Sequence, residues 1–321
     1  MEPQGEGASP RSALVGLALI TASLALPASG AGLAGLHGIV PLVVMYYLAT
    51  LGWKQGGALM AAGLVLAGAI TLRTGSLPAL FFAMTLVPVG LLLAHGARKN
   101  EPPGLTGLKA VLVLGSLWLL AAAWYGFGVG SNPYRELQQG LEQGFQQTLA
   151  YYQAKTGLPA ETLQELTAAL EATRRFLARA LPAVLTSAVI FTVWLNMLAG
   201  CWLLKKTRPD LVRWPEFRTW RLPEPLVWLV IVALGLMVSD REPLATIGLN
   251  AAYVLGLLYF MQGLAIVAHF LARWQMPRFF RGMVYALLLI QFYGMLLLAI
   301  IGLADTWLAL RSKPEQPTAT T

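Results

Sequence analysis

Apolar residues along this chain fall in long blocks separated by short polar stretches. Eight runs contain no charged residue: 12–53, 55–72, 74–97, 110–134, 180–204, 225–239, 243–272 and 282–304. A helix that crosses the hydrocarbon core of a bilayer needs about 20 mostly apolar residues. Most of these runs fit one such helix. The first is long enough for two, with a turn at Pro27-Ala28-Ser29-Gly30-Ala31-Gly32. The pattern therefore predicts an all-α, polytopic transmembrane bundle of about nine spans, near 12–28, 33–51, 56–72, 77–95, 109–128, 182–204, 222–239, 244–269 and 282–303.

One segment follows a different rule. Asn132-Pro133 is a helix start, with Asn as cap and Pro in the first turn. Leu137, Leu141, Phe145, Leu149 and Tyr152 then share one face. Thr156-Gly157 ends that helix. A second helix opens near Pro159 with Leu163, Leu166, Leu170, Leu177 and Leu181 on one face and Glu161, Glu165, Glu171, Arg174, Arg175 and Arg179 on the other. Two amphipathic helices joined by a short turn predict an extramembrane hairpin over 132–181, running into the sixth span at Pro182. The chain then divides into an N-terminal five-span bundle (1–131), the hairpin, and a C-terminal four-span bundle (182–321).

Composition agrees with the pattern. Hydrophobic residues make up 57% of the 321 residues and charged ones 12%, against about 25% charged in a soluble domain. The net charge of +8 does not point to nucleic acid, because the basic residues lie in loops between apolar runs. With the N-terminus inside, fourteen Lys and Arg face the cytoplasm, including Arg11, Lys54, Arg98, Lys99, Lys205, Lys206 and Arg273. Arg73, Arg241, Arg311 and Lys313 fall in short segments on the other side, the last two against the trend. The expected location is a bacterial cytoplasmic membrane, and Arg11 with the apolar stretch after it reads as an uncleaved first helix rather than a removed signal.

Candidate chemistry is sparse. No zinc helix, nucleophile elbow or phosphate loop occurs. The single cysteine, Cys201, allows no intramolecular disulfide, and His37, His95 and His269 lack partners at metal-ligand spacing. Asp305 has no second carboxylate within a span to form a dyad. No cofactor and no metal are expected, and an enzyme acting on a bilayer substrate ranks third among the readings. Polar residues at membrane depth are the candidates for ligand contact: Asn196, Asn250, Gln262 and His269, with Gln291 a further amide in the last span. Such groups face the bundle interior, either to bond neighbouring helices or to line a cavity. Asn196 and Asn250 are expected to face each other or a shared cavity. Ala18 and Ala22 have the small-xxx-small spacing that lets helices approach closely, as do Gly52 and Gly56. The stretch KKTRPDLVRWPEFRTWR places Lys205, Lys206, Arg208, Arg213, Arg218 and Arg221 among Trp214, Phe217 and Trp220, a composition suited to the lipid interface or to a docking partner.

FTVWLNMLAGCWLLKK (191–206), FRTWRLPEPLVW (217–228), IGLNAAYVLGLLYFMQGLAIV (247–267) and IGLADTWLALRSK (301–313) resemble the YybS-like family of predicted bacterial membrane proteins. The most distinctive part is the closing Gly-x-x-Asp-x-Trp followed by Arg, and the likeness covers most of the chain. It implies the polytopic fold and no particular activity. The first five spans are also similar to the S components of energy-coupling-factor transporters, at Pro41-Leu42 and Ala18-xxx-Ala22. That likeness implies a subunit that binds a small, partly apolar molecule, meets a coupling membrane subunit through Ala18 and Ala22, and relies on a partner ATPase. The competing expectation is a scaffold or biogenesis factor that docks partners through the hairpin and the basic loop.

Overall fold

The structure is a computed structural model and describes residues 10–29, 34–154 and 159–311. The turn at Gly30 to Gly32, the helix end at Thr156-Gly157, and Lys313 lie outside the described residues. The described residues form α-helices and short 3-10 turns, with no strand among them. In chain order the helices are α1 (Pro10–Ala25), α2 (Val40–Thr74), α3 (Leu77–Lys99), α4 (Pro103–Val129), α5 (Pro133–Ala154), α6 (Ala160–Thr207), α7 (Leu226–Met237), α8 (Glu242–Arg273), α9 (Arg278–Ile290) and α10 (Phe292–Leu308). The all-α transmembrane class stands. The count of nine spans is not confirmed. Five helices are long and apolar enough to cross a membrane: Gly35–Thr74, Leu77–Lys99, Pro103–Val129, Ala160–Thr207 and Glu242–Arg273. A sixth crossing is reached only if the last pair of helices, bent by 102°, counts as one. With 16 and 12 residues, α1 and α7 reach about 24 and 18 Å at 1.5 Å per residue, short of a core about 30 Å thick.

Contacts gather the chain into two units, Met1–Glu136 with Ala188–Trp214, and Leu137–Ser187 with Pro215–Thr321. In the first unit, α2 is helical throughout except at Gly52, where φ is 78° and ψ 174°. Only glycine adopts that conformation without strain, and there the chain doubles back. A methyl group built on Gly56 would lie 3.0 Å from the Tyr47 carbonyl and 3.1 Å from Leu48 Cα, although residues eight apart in a continuous helix are separated by about 12 Å. Gly16 of α1 sits against both arms of this reversal, at Tyr47 and Leu59. The expected second and third apolar segments are thus the two arms of α2. The core of the unit gathers Ile20, Leu24, Met45, Leu48, Leu86, Leu93 and Leu114, all nearly inaccessible. Gly90 lets α3 close on Val44, and Gly200 lets α6 close on Met45.

In the second unit, α7 and α8 meet at Gly248, whose hypothetical Cβ would lie 2.3 Å from Met237 N. Gly263 and Gly302 bring α8 and α10 into backbone contact, each hypothetical Cβ falling 2.0 Å from a carbonyl of the other helix, Leu298 O and Tyr259 O respectively. The expected ninth span is broken. Gln291 is extended (φ −95°, ψ 128°) and exposed, and it separates α9 from α10. The helices of the predicted hairpin form as expected. Arg174 Nη1 joins Glu142 Oε2 at 2.9 Å, and a bond from Gln146 together with Arg174 holds the Glu142 carboxyl below the usual range. No residue of α5 is buried, however.

A Gly52→Ala variant is expected to lose about 1–3 kcal/mol, the strain of a non-glycine residue in this backbone region. Gly57→Ala, which meets no neighbour within 4 Å, is expected to be neutral or to gain up to about 1 kcal/mol from helix propensity. Unfolding of the two variants in mixed detergent checks the contrast.

Candidate functional site

The close approach at Gly263 and Gly302 places Gln262 beside the final turns of α10. Gln262 Nε2 donates to Gly302 O at 2.9 Å and lies 3.4 Å from Asp305 Oδ2. Its Oε1 accepts from Leu222 N at 2.9 Å, which ties the segment before α7 to α8. At the end of α10, Ala309 adopts the left-handed conformation (φ 43°, ψ 47°), so the chain reverses and Arg311 returns to the helix. Arg311 Nη2 donates to Asp305 Oδ2 at 2.7 Å, and both side chains are buried, 3% and 1% exposed. Arg311 Nη1 donates to Trp220 O at 2.8 Å and Arg218 O at 3.2 Å. Arg221 Nε lies 4.0 Å from the same carboxylate oxygen. Gln262, Asp305 and Arg311 therefore lock α8, α10 and residues 218–222 together, although Asp305 Oδ1 and Arg311 Nε stay buried without a hydrogen-bond partner.

Of the four expected ligand-contact residues, Gln262 belongs to this lock. His269, half-buried near the end of α8, stacks edge-to-face on Phe270 at 5.6 Å. The two asparagines are saturated by backbone groups, each within its own unit. Asn196 Oδ1 accepts from Leu42 N at 2.8 Å, and its Nδ2 donates to Gly38 O and Thr192 O, both at 2.7 Å. It thus stands in for the missing cap at the start of α2. Asn250 Oδ1 accepts from Ala183 N at 2.8 Å while Nδ2 donates to Arg179 O at 2.9 Å and Thr246 O at 2.8 Å. Arg179 O and Ala183 N are the helical pair next to Pro182, whose ring disturbs the turn before it. The Asn250 amide bridges that pair.

The basic aromatic loop is anchored more firmly than its composition suggests. In the first unit, Trp214 is buried, donates Nε1–H to Glu101 O at 2.8 Å, and accepts Lys205 Nζ on its carbonyl at 2.5 Å. Arg213 N–H donates to Asn100 Oδ1 at 3.2 Å. Lys206 lies 5.5 Å over the Trp202 ring, and Arg208 pairs with Asp210 at the surface. In the second unit, Trp220 stacks on Phe217 with the rings 22° apart.

Ala18 and Ala22 have a different setting. They line an apolar groove of about 550 Å³ between α1 and the second arm of α2, with Leu14, Thr21, Leu66 and Ile70. Thr21 Oγ1 is buried there without a hydrogen-bond partner. Sequence reading passed over Asp305 and Arg311, the one as a lone carboxylate and the other as a misplaced surface charge. The signal was the Gly-x-x-Asp-x-Trp run, whose glycine makes the contact and whose aspartate takes the arginine. Among the described residues, no group of three His, Cys, Asp or Glu side chains could hold a metal ion.

Arg311→Leu is expected to cost about 3–5 kcal/mol by leaving Asp305 charged and buried, and Asp305→Leu/Arg311→Leu to recover much of that loss. Asn250→Leu is expected to cost about 1–3 kcal/mol, and less in a Pro182→Ala background where the helix closes its own turn. Equilibrium unfolding of the single and double variants measures both couplings.

A family model described as a predicted membrane protein, DUF2232, matches residues 17–306. The chain is 23% identical over 280 residues to the Uncharacterized protein YybS of Bacillus subtilis (strain 168), an alignment that covers 85% of this chain and 87% of that protein. No solved structure matches the chain. The match takes in the Gly263–Gly302 contact, Gln262 and Asp305, and the chain belongs to the DUF2232 family of predicted membrane proteins.

Proposed function

We propose that this membrane protein is a non-catalytic subunit of a transport assembly, one that binds a small, partly apolar molecule and docks a transmembrane helix of a coupling partner in the groove at Ala18 and Ala22. An ATPase would be supplied by that assembly. The groove carries the reading. Its α1 wall sets small side chains at Ala18, Ala22 and Ala25 between Leu14, Leu17 and Thr21, and the Ala18–Ala22 spacing lets a second helix backbone approach closely. The similarity of Ala18-xxx-Ala22 to the coupling contact of S components points the same way. Insertion in a bacterial cytoplasmic membrane with the N-terminus inside belongs to this proposal. The excess of Lys and Arg in one set of loops supports it, and Arg311, buried against Asp305, is no longer a solvated charge on the minority side.

One observation favours the competing scaffold reading. Leu137, Leu141, Phe145, Leu149 and Tyr152 share a face of α5, yet α5 buries none of its residues. A single photo-crosslinking residue at Ala22, Leu19 or Phe145 in cells separates the two. An adduct with another membrane protein at Ala22, lost when Ala18 is replaced by Leu, and lipid alone at the exposed Leu19, is the expected result. Lipid adducts alone at Ala22 overturn the groove proposal, and a protein adduct at Phe145 in their place supports the scaffold.

A further inference from the structure

We propose that Arg218, Arg221, His269 and Arg273 of the second unit form a binding site for the phosphate of an anionic lipid headgroup. The lock described above makes the site. Arg311 holds the carbonyls of Arg218 and Trp220, and Gln262 holds the amide of Leu222, so the backbone on either side of Arg221 is fixed. The two guanidinium groups are left facing outward, with side chains 44% and 48% exposed. Arg273, at the last turn of α8, is exposed and makes no ion pair among the described residues. His269 and Arg273 lie one turn apart on α8, and the 3-10 turn Phe217–Thr219 packs against that helix.

The acidic groups cancel only part of this charge. Asp305 pairs closely with Arg311 and lies 4.0 Å from Arg221, and Glu216 pairs with Arg218. Two acidic groups thus face four guanidinium groups, Arg311 among them, and Arg218, Arg221 and Arg273 keep exposed donors beside a histidine that can donate. Guanidinium forks match phosphate oxygens in pairs, and holding them on a fixed backbone lowers the entropy lost on binding. A free phosphate would meet the same donors. The surroundings select a lipid. Phe217 stacks on Trp220, the exposed Trp274 follows Arg273 directly, and the exposed Phe279 opens the next helix. Aromatic side chains among basic residues are the composition of the headgroup zone.

Native mass spectrometry of the full chain, released from nanodiscs of equal phosphatidylglycerol and phosphatidylcholine, tests the site. Wild type is expected to retain phosphatidylglycerol selectively. Arg218→Gln/Arg221→Gln should weaken that retention about thirtyfold, since each basic residue near a headgroup contributes about fivefold. Arg241→Gln, at the start of α8, should leave it unchanged, and Arg218→Lys/Arg221→Lys should keep part of it. The Lys pair decides the matter should the Gln pair unfold. Equal retention of the two lipids by wild type, a full set of bound anionic lipid in the Gln pair, or an equal loss in Arg241→Gln overturns the proposal. Displacement of the lipid by millimolar inorganic phosphate, which then binds wild type and not the Gln pair, overturns it in favour of a free anion.

Discussion

The contact between the backbones of α8 and α10 sets the arrangement of the second unit. Lipid tails are as apolar as leucine, so burial gives little drive for helices to associate in a bilayer. Shape and hydrogen bonding must supply it. Gly263 and Gly302 remove the side chains that would hold the helices apart, and the gain is more than van der Waals contact. At this separation Gln262 can reach the carbonyl of Gly302, an acceptor already engaged within its own helix. A wider spacing would leave that amide buried with half its capacity unused, at a cost of about 1–3 kcal/mol. The glycines are therefore a precondition for the polar lock, and the lock in turn fixes residues 218–222.

The same economy governs the asparagines. Amides in an apolar medium need partners, and the surest partners are backbone groups freed by a local fault. At the start of α2 no residue caps its own helix, and Asn196 arrives from α6 to take Leu42 N. At Pro182 the fault is a disturbed turn, and Asn250 arrives from α8. Each amide repairs a different helix from the one that carries it. They act as tertiary staples that also remove the penalty of a broken backbone ladder.

Much of this was legible in the sequence and some was not, for identifiable reasons. Charge-free runs read as membrane helices because the cost of burying charge allows little else. Gln262 and Asn196 were recognisable as buried polar groups, whereas Asn250 is only half-buried. The break at Gly52 was legible, because the apolar segments 33–51 and 56–72 part there. The count of nine spans is not confirmed, since α1 and α7 are short and Gln291 breaks the last run. What separates Gln262 from Gln291 is whether a neighbouring helix presents a carbonyl, which no local pattern records. Arg311 was misread for a related reason. Counting charges by loop treats each as solvated, whereas a left-handed residue at Ala309 turns this one back into the protein.

The reversal at Ala309 carries the argument one step further. A left-handed conformation at a non-glycine residue is unfavourable by roughly 1–2 kcal/mol, and burying an ion pair returns little net energy against apolar packing. Neither feature is the cheapest way to end a membrane helix. Together they do something a plain apolar terminus cannot, which is to hold two specific carbonyls of a distant loop while that loop's own guanidinium groups stay at the surface. The energy is spent on position. An ion pair costs least in a unit that never opens its loop, because separating Asp305 from Arg311 would strand both charges in an apolar setting. The second unit is thus built to present Arg218 and Arg221 from a fixed backbone, and the exposed basic surface is a consequence of the buried charges beneath it.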